Sequence, residues 1–183
     1  MRILLTGEIG SGKSTVVREV LRLAAFERVT GLFSRRVDER DGSRGYRLVS
    51  SLDGREMRFA FPKSGPDDGP GKFRIDREVF DRFGAEVLRA AARDADSPLV
   101  IDELGIFERG ASAYVEAVGE CVARKRDALV VVQERARDFW TPILRTEEFD
   151  RCAEVTLRNR DGLPITLAEL FSRPGGGERP GNR

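Results

Sequence analysis

The stretch Gly7-Glu8-Ile9-Gly10-Ser11-Gly12-Lys13-Ser14, followed by Thr15, fits the spacing G-x-x-x-x-G-K-[ST] in full. Glycines let such a backbone turn with its N–H groups pointing inward, and a helix that starts at the lysine adds the positive end of its dipole. Together they can solvate a chain of phosphates. Lys13 would reach the β and γ phosphates, Ser14 would give Mg²⁺ a hydroxyl ligand, and Thr15 could bond the α phosphate. Lysine occurs in this arginine-rich chain only at Lys13, Lys63, Lys72 and Lys125, so its presence in this slot is not background. A glycine turn with an ordinary surface lysine would explain the letters but not their place between an apolar strand and a helix.

A second group stands at Leu99-Val100-Ile101-Asp102-Glu103. An apolar strand ending in Asp102 puts a carboxylate at the carboxyl edge of a parallel sheet, where it can hold a magnesium-bound water. Glu103 could then accept a proton from, or orient, a water that attacks the γ phosphate. The plainer alternative is that both acids cap the next turn. The run Ala128 to Gln133 is the candidate for a strand inserted between the phosphate-loop strand and the Asp102 strand. Gln133 would then end beside the γ phosphate and help position water, or face solvent as a polar strand end. Arg135, Arg137 and Arg145 are candidates for neutralising transition-state charge, against the alternative of solvated surface arginines. Phe139 and Trp140 could stack on a base or serve as a buried anchor.

The elements that must position these residues follow from apolar spacing. Met1 to Thr6 reads as a strand, and Lys13 to about Phe26 as a helix carrying Val16, Val17, Val20 and Leu21 at helical intervals. Strand-like runs over about 31–61, broken by Asp41-Gly42 and Asp53-Gly54, read as an antiparallel meander. Residues 62–72 are rich in Gly, Pro and Asp and read as a loop. Asp76 is placed to cap a helix running to about Ala95. Further helices are expected at about Ser112 to Lys125, Pro142 to Glu148 and Thr166 to Phe171, with a strand at Cys152 to Leu157. Short apolar strands alternating with helices predict an α/β fold: a three-layer sandwich of the P-loop NTPase type. Its central sheet is mostly parallel, with the extra strand between the phosphate-loop and Asp102 strands and the meander attached. Residues 1–171 form one domain in this reading, and 172–183 a disordered tail.

Composition bounds the function. The chain has 183 residues, long enough for one sizeable core, and Lys+Arg of 32 against Asp+Glu of 31 leaves a net charge of +1. That balance gives no global field toward nucleic acid or anionic lipid, although a local patch is left open. The opening residues are too short an apolar run for a leader or membrane span, so the expectation is a cytoplasmic protein with no membrane partner. Monomer is the default oligomeric expectation. With no histidine, Ser-His-Asp and Cys-His mechanisms are excluded. Cys121 and Cys152 are not in a metal-binding spacing and read as small buried apolar residues.

Beyond the phosphate loop, the chain resembles the small P-loop nucleoside-triphosphatases of the thermophile type, also called cancer-related nucleoside-triphosphatases. The resemblance rests on the opening Ile3 to Thr15 with Glu8, then "GLFSRRV" followed by "GYRL", "GKFRIDREVF", "VIDELGIFE" and "TLRNRDGLP", in that order along nearly the whole chain. It implies a five-stranded parallel core with a meander, and slow Mg²⁺-dependent hydrolysis of several nucleoside triphosphates to diphosphate and phosphate. It assigns Gly7 to Thr15 to the phosphate loop, and Asp102 and Glu103 to the magnesium aspartate and catalytic glutamate. Asn159 and Asp161 match the family's "NRD" near the nucleotide side, and read from their residue types alone they are turn formers. The chain departs from the pattern at Ile106-Phe107, with Glu108 kept, and at Gln133 to Asp138.

Two other readings stay open at this point: a small nucleotide or nucleoside kinase, with Arg35, Arg36, Arg44 and Arg47 supplying a lid, and a nucleotide-dependent switch with little turnover. A GTP-specific switch is disfavoured, because no N-K-x-D base-reading motif is present.

Overall fold

A computed structural model of the chain describes residues 1–38, 44–63 and 73–172. Side-chain alternation decides the two faces of its sheet. In β1 (Arg2–Thr6), Ile3 and Leu5 point to one layer and Leu4 to the other. Strands β6 (Leu99–Leu104) and β7 (Ala128–Val132) divide the same way: Val100, Leu129 and Val131 join the first layer, while Leu99, Ile101, Val130 and Val132 join the second. Burial on both faces is why these strands are unbroken apolar runs. Helices α1 (Lys13–Leu23) and α6 (Leu163–Ser172) cover the first face through Val16, Val17, Val20 and Leu167. The second face is covered by α2 (Arg77–Val79), a π turn (Phe80–Gly84), α3 (Ala85–Arg93), α4 (Ser112–Arg124) and α5 (Arg137–Leu144).

The remaining strands are β2 (Thr30–Asp38), β3 (Arg44–Ser50), β4 (Glu56–Pro62), β5 (Phe73–Ile75) and β8 (Arg151–Glu154). The sheet has eight strands in the order β5-β4-β3-β2-β6-β7-β1-β8. Strands β2, β6, β7, β1 and β8 are parallel, and β2-β3, β3-β4 and β4-β5 pair antiparallel. The expected three-layer α/β fold is present, with β7 inserted between β1 and β6. Strand β2 belongs to both parts of the sheet. Its first half pairs with β6 through Phe33↔Asp102, and Leu32 to Asp38 pair with β3, while β5 extends the antiparallel wing beyond the meander read from sequence.

Local differences have physical causes. Asp76 caps as expected, accepting the Glu78 N–H at 3.1 Å, but the helix then loosens into the π turn. A Cβ on Gly84 would sit 2.7 Å from the Tyr114 ring, so α4 approaches the π turn at the one residue that leaves room. Helix α5 starts at Arg137 rather than near Pro142 and carries the proline inside it, because Trp140 and Leu144 must be buried on one face. Helix α6 begins at Leu163, with Pro164 in the first turn, where its missing N–H has no helical partner to lose. Cys121 is buried in α4 as expected, but Cys152 is exposed, because β8 lies at the end of the sheet. Asp53-Gly54 makes its turn with Gly54 at φ +73°. The Asp41-Gly42 turn, residues 64–72 of the loop and the tail from 173 lie outside the described residues.

A chain of rings ties the wing to α5, whose Trp140 meets the backbone just after β6. Phe59 meets Phe80 at 4.7 Å between centroids, Phe80 meets Tyr114 at 5.4 Å, and Tyr114 meets Trp140 at 6.5 Å. Burial of each ring is worth on the order of 2–3 kcal/mol.

Candidate active site

The loop from Gly7 to Gly12 leaves the carboxyl end of β1 and enters α1. Two of its glycines are required by their neighbours. A Cβ on Gly7 (φ +145°) would lie 2.5 Å from the Val155 carbonyl, and one on Gly12 (φ +101°) would lie 3.0 Å from Cδ of Arg160. The Lys13 side chain turns back beneath this loop, 5% of the residue being exposed. Its Nζ donates to the carbonyls of Gly7 at 2.9 Å and Glu8 at 2.8 Å, and lies 3.4 Å from Oε2 of Glu103. Ser11 Oγ is buried with no hydrogen-bond partner among the described residues. Glu8, Ile9 and Gly10 form the exposed crest of the loop.

The parallel register brings the second half of the site alongside. Ser14 Oγ donates to Oδ1 of Asp102 at 3.2 Å across 88 residues of sequence. Burial pushes the Asp102 carboxyl up to about 6, against the opposing pull of the Ser14 hydrogen bond. A buried carboxylate beside a hydroxyl is a hard-oxygen pair that suits Mg²⁺, which takes few protein ligands and completes its shell with water and phosphate oxygens. Among the described residues no group of three or more His, Cys, Asp or Glu could hold a metal by itself, so phosphate would have to contribute.

Glu103 is joined to Asp102 by a cis peptide bond and stands between two partners. Lys13 lies on its Oε2, and Gln133 Nε2 donates to its Oε1. Gln133 Oε1 in turn accepts from Arg135 Nε at 3.1 Å. The geometry thus unites Lys13, Glu103, Gln133 and Arg135 in one network. Arg137, at the start of α5, is engaged by Glu134 at 3.4 Å. Arg145 is not at this edge. Helix α5 runs back along the sheet, and Arg145 pairs at 3.7 Å with Glu148, which also pairs at 3.0 Å with Arg2 at the opposite, amino edge. Trp140 is fully buried, its Nε1 donating to the Gly105 carbonyl at 2.9 Å, so it is an anchor and not a base platform.

Asn159 and Asp161 sit in the turn after β8. Asn159 spends its amide within that turn, accepting the Thr156 N–H at 2.9 Å and donating to the Glu154 carbonyl at 2.8 Å. Asp161 has a side chain 93% exposed, 3.7 Å from Arg160. The residue between them, Arg160, is the one laid against the phosphate loop. Its residue type and spacing alone give it no role, whereas Glu108, kept where its neighbours Ile106-Phe107 depart from the family pattern, is 3% exposed and accepts the Gly105 N–H at 3.1 Å. Burial pushes the Glu108 carboxyl up to about 7. Arg109 also escaped notice: it donates to the Arg135 carbonyl at 2.9 Å and lies over the Phe139 ring. Thr15 is exposed and accepts from Arg18 at 3.4 Å, a helical neighbour that the i+3 spacing could have revealed.

The chain matches the sequence model of the family NTPase_1, described as NTPase, over residues 2–168. It is 31% identical over 173 residues to the nucleoside-triphosphatase THEP1 of Methanopyrus kandleri, covering 91% of this chain and 93% of that protein. It is 30% identical over 175 residues to the nucleoside-triphosphatase THEP1 of Methanosarcina barkeri, covering 93% and 97%. Its fold is shared with THEP1 from Aquifex aeolicus (TM-score 0.72, 21% identity, 94% of this chain and 100% of that one). It is shared equally with a human cancer-related nucleoside triphosphatase (TM-score 0.72, 22% identity, 94% and 99%).

Proposed function

The chain belongs to this nucleoside-triphosphatase family, and we propose that it hydrolyses nucleoside 5′-triphosphates in a Mg²⁺-dependent reaction of broad base specificity, with Glu103 as the general base. The observation that carries the reading is Glu103 held between Lys13 and Gln133, one residue past the buried Asp102. Phosphates would be seated by the N–H groups of Gly7 to Thr15, with the Ser11 hydroxyl free to turn toward them. Lys13, now on loop carbonyls, would take the β and γ oxygens as better acceptors. Ser14 and Asp102 would hold Mg²⁺, whose charge neutralises the phosphate oxygens as the bond to the leaving group lengthens.

Glu103 takes a proton from water as the water oxygen forms its bond to the γ phosphorus. The bond from phosphorus to the bridging oxygen breaks, its electron pair leaves with the nucleoside diphosphate, and the proton passes on to the released phosphate. Gln133 fixes the Glu103 carboxylate, while Arg135 and Arg137 at the same edge damp the developing charge.

Broad specificity is supported on the opposite side of the loop. In the order β6-β7-β1-β8, the acids stand on the β6 and β7 side, so a nucleoside extending away from them passes over the turn after β8. There the Asn159 amide is already committed, and Leu157, 67% exposed, offers a face that cannot read a base edge. A single chain assembles the whole site, which supports action as a monomer. Unpaired Cys121 and Cys152 support a reducing, cytoplasmic setting. Among the described residues no helix is long and apolar enough to cross a membrane.

The deciding experiment is phosphate release from a panel of nucleoside triphosphates with Mg²⁺, run on the wild-type chain, Lys13→Ala and Glu103→Gln. Turnover of purine and pyrimidine triphosphates by wild type alone, lost in both variants, is the expected result. Turnover that needs a second small acceptor would move the assignment to a kinase, and binding without turnover would move it to a switch.

A further inference from the structure

Gly105, the residue after β6, is held at three points. Its N–H donates to Oε2 of Glu108 at 3.1 Å, and its carbonyl accepts from Trp140 Nε1 at 2.9 Å. The third contact is at the α-carbon. A Cβ there would lie 2.9 Å from Cδ and Oε1 of Gln133 and 3.0 Å from its Nε2, so the Gln133 amide is seated against a residue without a side chain. One residue earlier, the Leu104 carbonyl accepts the Gln133 N–H at 2.9 Å, which ties the backbone of Gln133 to the same turn.

Both grips on Gly105 come from packed elements. Glu108 belongs to the 3₁₀ turn Phe107–Gly110, whose Phe107 ring lies 6.5 Å from that of Phe59. Trp140 belongs to α5 and is flanked by the rings of Tyr114 and Phe139. Glu108 is also expensive to keep, since an acid withdrawn from water costs free energy that a backbone hydrogen bond offsets only in part. What this turn bears upon is the Gln133 amide, whose Nε2 donates to Oε1 of Glu103 and whose Oε1 accepts from Arg135. Three rotatable bonds leave a glutamine tip many places to go, and a half-buried strand end restrains few of them.

We infer that Gly105, clamped by Glu108 and Trp140, is a positioning residue: it sets where the Gln133 amide stands and, through that amide, how the Glu103 carboxylate is turned. With Oε1 of Glu103 taken by Gln133, Oε2 is the oxygen left on the Lys13 side. A base acts only within hydrogen-bond reach of its proton, and a misplacement of about 1 Å can cost ~10²-fold in rate. The consequence for rate rests on Glu103 acting as the base in the proposed hydrolysis; the consequence for the amide does not.

The test has two readouts on the full chain. The first is the Gln133 side-chain amide followed by ¹⁵N-resolved NMR without nucleotide, its signals assigned by their absence in Gln133→Ala. Gly105→Ala should shift them. Glu108→Ala should shift them too, and Glu108→Gln, which keeps an acceptor for the Gly105 N–H, should bring them back toward wild type. The second readout is phosphate release from nucleoside triphosphates with Mg²⁺. Gly105→Ala should lower kcat by about 10- to 100-fold with KM and Tm close to wild type, because the flexible Gln133 tip can move aside without disturbing the fold. Gly105→Ala/Gln133→Ala should lose no more than Gln133→Ala alone, since the added methyl then has no amide to displace. Should Gly105→Ala fail to fold, the Glu108 pair decides by the same two readouts. The positioning role is overturned if the amide signals of the folded variants match wild type, or if the double variant loses the product of the two single losses. A raised KM with kcat intact would overturn it as well, by placing Gly105 in nucleotide binding. Wild type without turnover, with the amide shifted in Gly105→Ala, would sink the hydrolase reading and leave the placement of Gln133 standing.

Discussion

The two edges of the parallel sheet each bury a lysine, and they bury it for opposite ends. At the amino edge Lys125 is 2% exposed, and its Nζ donates to the Asp94 carbonyl and, at 2.8 Å, to that of Ser97. Around it several charges are paired: the amino terminus on Asp127 at 2.6 Å, Arg2 on Glu148, Arg28 on Asp94. At the carboxyl edge Lys13 is as deeply placed, but its neighbours are frustrated. Two acids there are pushed upward by burial, and the Ser11 hydroxyl lacks a partner among the described residues. One edge is arranged to be stable as it stands; the other holds desolvated groups whose best partners are phosphate and a divalent cation.

The largest expected effect tests that contrast directly. Glu103→Gln should lower kcat by about 10²–10⁴ while leaving nucleotide binding and Tm within experimental error, because it removes a charge the fold does not need. A fall in Tm that matches the loss of rate would show that Glu103 is structural, and the contrast would fail. The reciprocal change, Lys125→Met, keeps the volume but strands two buried carbonyls, and should cost about 2–4 kcal/mol in urea unfolding. The surviving folded fraction should keep its specific activity. Loss of turnover without loss of stability would place Lys125 in the reaction instead.

How much of this was readable beforehand depends on how local the information is. Gly7 to Ser14, Asp102 with Glu103, and the five apolar residues of β7 each carry their meaning within a few positions, and the structure places them at one sheet edge. The partners that set their chemistry are not local. Glu108 is an ordinary acid in sequence until the turn after Gly105 folds it inward, and Arg160 gains its place only because β8 lies beside β1. Arg145 looked available because it follows β7 closely, yet α5 carries it to the far edge. The departures at Ile106-Phe107 and at Gln133 to Asp138 look separate in sequence. In space they meet, with Arg109 bonded to the Arg135 carbonyl and Gly105 packed against the Gln133 amide.

The frustrated edge should also reveal itself in pH. Glu108 has its folded value raised from 4.5 to about 7 by burial, so folding favours its protonated form. Its contribution to stability is fully present below about 4.5 and is lost as pH rises to about 7, a swing on the order of 3 kcal/mol. Urea midpoints of Glu108→Gln compared with wild type across that window should show the slope flattened in the variant. An unchanged slope would mean that Glu108 titrates normally and that the carboxyl edge is less strained than its geometry implies.

The amino edge should answer with the opposite sign and a smaller size. Asp94 accepts the N–H of Ser97 at 3.1 Å and of Asp96 at 3.3 Å and pairs with Arg28. These backbone bonds, and then the guanidinium, hold its carboxyl well below the usual value of 3.8. A depressed folded value contributes stability that is present above 3.8 and lost as pH falls below it. Asp94→Asn keeps one acceptor oxygen for the turn but forfeits the charge. It should therefore cost about 1 kcal/mol at neutral pH and less as the solution is acidified below 3.8, its urea midpoint moving toward that of wild type. Divergence of the two curves in acid would mean that the carboxylate is held for something other than the ion pair and the turn.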